Sequence, residues 1–531
     1  MHDLIITGGQ VLDGTGAEPV RADVAIDNGR IAAIGNLWGE PTRNTLDAGG
    51  RSVAPGFIDI HSHDDFNLPV NPLAPGKIRQ GVTTQVTGNC GWSPAPLSPE
   101  HRQLFLDNAA FFDSGLSYDW ESIGDFLSRL PPMALNVAQL VGHVTVRCAV
   151  MGMEDRPPAE AELSAMKSLV ADAMAEGAFG FSTGLVYPPS AYGDAEEVAE
   201  LARVAAGFGG GYHTHMRDEG RHIMEAVREA AEIGKRSGAR VHISHLKLHG
   251  RPMWGKAGEL LELIETLGRE GVSIHCDQYP YPAGSSGLKS LLPNWSHEGG
   301  PRALMERLEN PEQRDRIRAE MLEGMSEAGY MKIAQWSDVM ISDSPSRPEI
   351  NGMNLQEIGE RENKLAADAM LDVLLADYAK TLAIFFTIGV QDMEEILSHP
   401  DISIGSDGIL TTVPGKEGAT LPHPRYYGTF PRVLGKYARE TNLLSLPMAV
   451  RKMTALPAEA LGLTGRGRLA PGCHADIVVF DPSTVIDRAT YKSPHQYPAG
   501  IDEVIVNGEN VVSGGEVTGA TPGTILRRVP R

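Results

Sequence analysis

The sequence predicts an α/β protein: a (β/α)8 TIM-like barrel, a small β-sandwich domain formed from both termini, and an inserted helical lid segment. Three observations carry this reading. Short apolar runs alternate with helical stretches through the middle of the chain. Both ends instead alternate apolar and polar residues around hairpin turns. One charged, proline-rich stretch breaks the rhythm of the middle.

At the N-terminus, "DLIITGGQVLDGTG" and "DVAIDNGRIAAIG" read as strands, with Asp-Asn-Gly as a turn. At the C-terminus, "GRLAPGCHADIVVFDP" and "DEVIVNGENVVSGG" read the same way, with Asn-Gly as the turn. Residues 1–54 and 465–531 are therefore assigned to one small β domain, since chain ends often lie near each other. Residues 55–464 are assigned to the barrel. Its strand candidates are "GFIDIHSH", "TTQVTGNC", "NVAQLVGH", "AFGFSTG", "GYHTHMRDE", "RVHISHLK", "VSIHCDQYPY", "AIFFTIG" and "ISIGSDG". That is one more than a barrel needs, and periodicity alone does not say which is surplus. Helical patterns such as "AELSAMKSLVADAMAEG" and "RHIMEAVREAAEIGKRSG" lie between them. Residues 285–354 form the insertion over one barrel face, and both a substrate-covering lid and a structural excursion fit it.

The bulk numbers narrow the function. With 531 residues and 42% hydrophobic content, the chain reads as a large globular enzyme. A formal net charge of -21 argues against nucleic acid and anionic membranes as partners. No apolar run approaches the roughly 20 residues of a membrane span. The N-terminus lacks a basic segment followed by an apolar one, so no signal peptide is expected. The four cysteines are widely spread and suggest no disulfide framework, which points to the cytoplasm.

"GFIDIHSHDDF" carries the sharpest chemical signal. Residues two apart on a strand share a face, so Phe57, Asp59, His61 and His63 are expected to point into the barrel. Two imidazoles at a strand's C-terminal end can reach one metal ion. His213 and His215 end a later strand, and His242 and His245 the next; in each pair the second lies nearer the C-terminal end and is the better ligand. Asp407, in "IGSDG", suits a general base at the end of the last strand. Cys90, in "GNCG", supplies a thiolate that could bridge two metals, with a buried neutral thiol as the ordinary alternative. Flanking glycines leave room for close approach.

Together "GFIDIHSHDD", "GNCG", "HMRDE", "ISHLK", "YPYPAGSS", "IGSDG" and "HPRYYGTFPRVL" resemble the amidohydrolase superfamily, and within it the D-aminoacylases (N-acyl-D-amino-acid deacylases). The resemblance covers nearly the whole chain. It implies hydrolysis of N-acyl-D-amino acids to a carboxylate and a free D-amino acid. It implies that Cys90, His215 and His245 hold a tight Zn2+. His61, His63 and Asp407, sharing Cys90, then line a second, weaker position, and Asp407 shuttles the proton. Arg425 and Tyr279, with Tyr281 competing, match the residues that hold the substrate carboxylate. Lys247 and Ser286 are candidate substrate contacts, with surface or structural roles open as well. Deacylases for acidic substrates carry an arginine just after Tyr-Pro-Tyr, and this chain has none there. Leu288, Leu291, Leu292 and Trp295 instead suggest an apolar pocket, although Lys289 lies among them. Neutral, hydrophobic D-amino acids are the expected leaving groups. A D-specific dipeptidase or a cyclic amidase are the alternatives, and a non-catalytic scaffold ranks below both. His143 and Arg147 are read as a hydrogen-bonded structural pair. The oligomeric state is left open.

Overall fold

A computed structural model describes residues 1–112, 115–325, 333–410 and 420–528. Strands from both ends form one continuous nine-stranded sheet. Its seam is the antiparallel pairing of Ser52–Pro55 with Ile477–Phe480. Both expected hairpins are present. Asn28 and Gly29 link Val20–Asp27 to Arg30–Gly35, and Asn507 and Gly508 link Ile501–Val506 to Glu509–Ser513. All four turn residues have positive φ, the requirement of a type I′ turn. Ile6, Val24, Ile26, Val53, Ile477 and Ile505 are buried together as this sheet's own core.

The barrel strands are β1 (Phe57–Asp59), β2 (Val82–Thr87), β3 (Asn136–Gln139, resumed at Val141–Gly142), β4 (Gly180–Gly184), β5 (Gly211–His215), β6 (Arg240–Ile243), β7 (Ile274–Gln278) and β8 (Ile402–Ile404). Neighbours pair in parallel throughout. The ring closes just past the strand ends, where Ser62 bridges Gly408 and Asp407 N donates to the His61 carbonyl at 2.8 Å. The C-terminal Ile525–Leu526 adds alongside β3. Helices return outside the ring as the periodicity predicts. Ile223–Ser237 buries Ile223, Ala226, Val227, Ala230, Ala231 and Gly234 on one face and ends at Gly238, whose φ of 75° makes a left-handed cap.

The surplus strand candidate is 383–389. Leu382–Phe385 pairs antiparallel with Gly284–Gly287 and with Val339–Asp343, in a separate three-stranded sheet between β7 and β8. The helices Gly300–Glu309, Pro311–Gly324, Leu355–Glu362 and Ala366–Ala376 pack on this sheet around a core of their own. The packed unit thus continues past residue 354, because its central strand lies at 382–385.

His143 and Arg147 do not bond to each other. Both meet the buried Glu197, His143 Nε2 at 2.8 Å and Arg147 Nη1 at 2.6 Å. Burial works against the Glu197 carboxylate, but the His143 hydrogen bond and the Arg147 charge bring it down to about 2. His143 Nδ1 also meets Ser190 Oγ at 2.8 Å, which anchors the loop after β4. Glu197→Ala leaves a buried guanidinium unpaired and is expected to cost about 3–5 kcal/mol in chemical denaturation. A loss indistinguishable from a surface substitution would contradict this.

Candidate metal centre

The site lies at the C-terminal ends of the barrel strands, where such barrels gather their functional side chains. His61 and His63 follow β1, which ends at Asp59, four residues before the end of the stretch "GFIDIHSH" that the sequence suggests. The chain bends there so that His63 N can donate to the Gly408 carbonyl at 2.9 Å. Cys90 follows β2, His215 ends β5, His245 follows β6, and Asp407 follows β8. All six are buried and converge.

The Cys90 sulfur is the hub. It lies 3.3 Å from His61 Nε2 and 3.4 Å from His245 Nε2. Burial opposes ionisation of the thiol, but the His61 and His245 imidazoles hold it well below the ordinary thiol range. The glycines beside it permit this approach. A Cβ on Gly91 would fall 2.8 Å from Gly184 N, and one on Gly88 would fall 2.2 Å from the Leu140 carbonyl, and both residues have positive φ.

Among the described residues three donor sets occur, each with its ligand atoms within 4.8 Å of one another: His61–Cys90–His245, His61–His63–Asp407, and His215–Glu219–His245. The second set matches the expected weaker position. The expected trio of Cys90, His215 and His245 is spread over two sets, because His215 Nε2 turns toward Glu219 Oε2 at 3.4 Å. Cys90, His245 and Asp407 have φ of 53°, 40° and 49°, left-handed conformations that non-glycine residues rarely adopt. Such strain gathers at functional sites, where the surroundings hold it in place.

The donors fit a small thiophilic cation. Ordinary zinc–sulfur and zinc–nitrogen bonds at a tetrahedral angle would separate S and N by about 3.5 Å, close to the distances seen. Among the described residues, His63 Nδ1 and His215 Nδ1 are buried without a hydrogen-bond partner, which leaves these rings free to adjust to a bound cation.

Comparison with known proteins gives the same answer over the whole chain. A family model described as the amidohydrolase family matches residues 44–278 and 375–512. The chain is 41% identical to the D-aminoacylase of Alcaligenes xylosoxydans xylosoxydans over 99% of its own length and 98% of that protein. The chain belongs to the amidohydrolase family. Among solved structures, it is similar to a D-aminoacylase whose binuclear metal centre is described by one-metal activation and second-metal attenuation. That match has 38% identity over 99% of this chain and all of the other, with a TM-score of 0.84. It is also similar to an N-acyl-D-glutamate deacylase from Bordetella bronchiseptica, complexed with zinc and a phosphonate inhibitor that mimics the tetrahedral intermediate. There the identity is 36% over 99% of each chain, with a TM-score of 0.83.

Several side chains complete this amidohydrolase centre. Arg425, 2% exposed, meets Asp407 Oδ2 through Nη1 at 2.9 Å and stacks over Tyr279 at 4.7 Å. Burial opposes ionisation of Asp407, but the Arg425 charge and the His63 hydrogen bond hold it well below the usual carboxylate range. Tyr279 lines the cavity. Tyr281 does not: it stacks under Arg432 at 4.6 Å, and its hydroxyl turns to the Pro424 carbonyl and Asp487. Lys247 and Ser286 both line the cavity, but the Lys247 ammonium is already held by Glu219 at 2.6 Å and His245 Nδ1 at 2.8 Å. Residues 411–419, just after Asp407, lie outside the described residues.

Sequence reasoning missed three participants. Glu219 stands in "HMRDE", four residues after His215, and an acid at that spacing could have signalled it. Tyr187 follows β4 and sets its ring edge-on to His215 at 5.0 Å. Asp277, at the end of β7, accepts from the His245 backbone N–H at 3.0 Å through Oδ1. Its Oδ2 lies 3.2 Å from His61 Nδ1 and 2.8 Å from His242 Nε2. One carboxylate therefore sets both the His61 ring and the strained His245 backbone. His213 lies deeper and stacks on His242 at 4.8 Å. Asp277→Asn is expected to lower divalent-metal affinity about 10- to 100-fold in a folded protein. Parent-like affinity by competition with a chelator would remove Asp277 from this role.

Proposed function

We propose that the protein hydrolyses N-acyl-D-amino acids with neutral side chains, releasing a carboxylate and a free D-amino acid, with zinc as its metal. The observation that carries this reading is the Arg425–Asp407 pair inside the histidine–cysteine cavity. It sets a carboxylate-binding group beside a base at one end of a metal centre. Cys90, His215 and His245 are assigned to one zinc, and His61, His63 and Asp407 to a second position that shares Cys90.

Bound zinc would supply Lewis acidity toward the amide carbonyl and lower the pKa of water to about 7. The Arg425 charge and the His63 hydrogen bond favour the ionised form of Asp407, which accepts the proton of the attacking water and then delivers it to the departing nitrogen. Arg425 grips the α-carboxylate. Among the described residues its buried Nε has no hydrogen-bond partner, and a planar fork suits two parallel bonds to a carboxylate. Tyr279, flat beneath the guanidinium, keeps that fork in one orientation. Holding the carboxylate at Arg425 while the amide faces Asp407 fixes which face is attacked, and so favours D over L.

Trp92, Phe111, Phe112, Leu382, Phe385 and Ile409 supply the apolar walls. Leu288 and Leu291 pack instead into the core of the segment between β7 and β8. Lys289 gives its ammonium to the Asn108 carbonyl and Oδ1, each at 2.8 Å, and burial brings it down to about 7. It is thus a weak attractor for an acidic side chain. Among the described residues no helix is long and apolar enough to cross a membrane. The cysteines are unpaired, three of them buried, which suits a reducing cytoplasm.

Asp407→Asn is expected to lower kcat about 10²- to 10⁴-fold while the tight zinc and the fold remain; near-parent turnover would exclude it as the base. Arg425→Lys is expected to raise KM for free-carboxylate substrates about 10- to 100-fold, with a smaller change in kcat. An unchanged KM would contradict the assigned contact. A panel of N-acetyl-D- and L-amino acids with hydantoins tests the reaction itself: neutral D substrates should give the highest kcat/KM, and a preference for hydantoins or for N-acetyl-D-glutamate would overturn the reading.

A further inference from the structure

The two arms that carry His61, His63 and Asp407 meet at the seam where β1 and β8 close the barrel, and a single lysine stands behind that seam. Lys77, on the short helix Pro75–Ile78, is 1% exposed. Its ammonium donates to Asp59 Oδ2 and to Ser406 Oγ, both at 2.6 Å, and lies 3.5 Å from Asp64 Oδ2. Every one of these partners adjoins a candidate ligand. Asp59 lies two residues before His61, Asp64 one residue after His63, and Ser406 one residue before Asp407.

Asp59 and Ser406 are cross-linked in turn. Asp59 Oδ1 accepts from Ser406 N at 2.8 Å and from His61 N at 3.3 Å, and Ser406 Oγ donates to Asp59 Oδ2 at 2.5 Å. Gly408 N donates to Ser406 Oγ at 3.0 Å. The space is filled as well: a Cβ on Gly408 would fall 2.9 Å from the Lys77 ammonium. Lys77 itself touches none of the ligand side chains. A buried ammonium with two carboxylates strongly disfavours any movement that parts them, because each charge left behind would lack a partner. The turn that follows makes a similar brace, since Gln80 Nε2 donates to the Tyr426 carbonyl at 2.9 Å, next to Arg425.

The geometry points to Lys77 as a positioning residue that locks the β1 and β8 arms together and thereby sets the spacing of the His61–His63–Asp407 metal position. This rests on the assignment of those three residues to a second metal. Lys77 makes no hydrogen bond or ion pair to the ends of β2, β5 and β6 that carry Cys90, His215 and His245, so its effect should fall chiefly on the other position.

The test is zinc binding by calorimetry and chelator competition on the full chain, for the parent, K77M and K77M/D59N. The double variant removes the carboxylate that K77M would strand, so it carries the test if K77M does not fold. The expected result is a native circular-dichroism spectrum, an unchanged first equivalent of zinc, and a second equivalent weakened about 10- to 100-fold. Parent-like binding of both equivalents by a folded variant would overturn the role of Lys77, as would equal weakening of both. A parent protein that takes up only one equivalent would overturn the two-position assignment instead.

Discussion

The centre depends on one arrangement: a buried cysteine sulfur held between two imidazoles. Burial opposes ionisation of the Cys90 thiol, and the His61 and His245 imidazoles within 3.4 Å of the sulfur favour it. His61 and His245 each belong to a further donor set, with His63 and Asp407 and with His215 and Glu219, so the sulfur stands between the two. The barrel, the closed seam and the left-handed backbone at Cys90, His245 and Asp407 all serve to hold that sulfur where the histidines converge.

Around the hub, buried carboxylates fix the imidazoles. Asp277 ties β6, β7 and the residues after β1 through three hydrogen bonds. Glu219 gathers His215, His245 and Lys247 on the other side. Asp59 and Lys77 close the seam. Each is expensive to bury alone and stable only as part of a fully paired set. The centre is therefore rigid before any ligand arrives, which suits chemistry that relies on preorganised charge.

Much of this was legible in the sequence, for definite reasons. Parity along the strand singled out His61, nearness to the strand's C-terminal end singled out His215 and His245, and the Asn-Gly turns marked the terminal hairpins. Cys90 stood out because cysteine is scarce in the chain and glycines flank it. What escaped were partners set by distance in space. Nothing local distinguishes Tyr279 from Tyr281, and only packing shows that one meets Arg425 while the other meets Arg432. Asp277 and Lys77 act across 216 and 329 residues of chain, on His61 and Ser406, and spacing carries no trace of such pairings. The strand at 382–385 imitates a barrel strand because a buried antiparallel strand shows the same short apolar run.

The most direct measurement of the central claim is X-ray absorption at the zinc edge, on protein loaded with a single equivalent. The account predicts one sulfur scatterer at about 2.3 Å among nitrogen and oxygen ligands, absent in Cys90→Ala. A first shell of nitrogen and oxygen alone, identical in the parent and the variant, would contradict it.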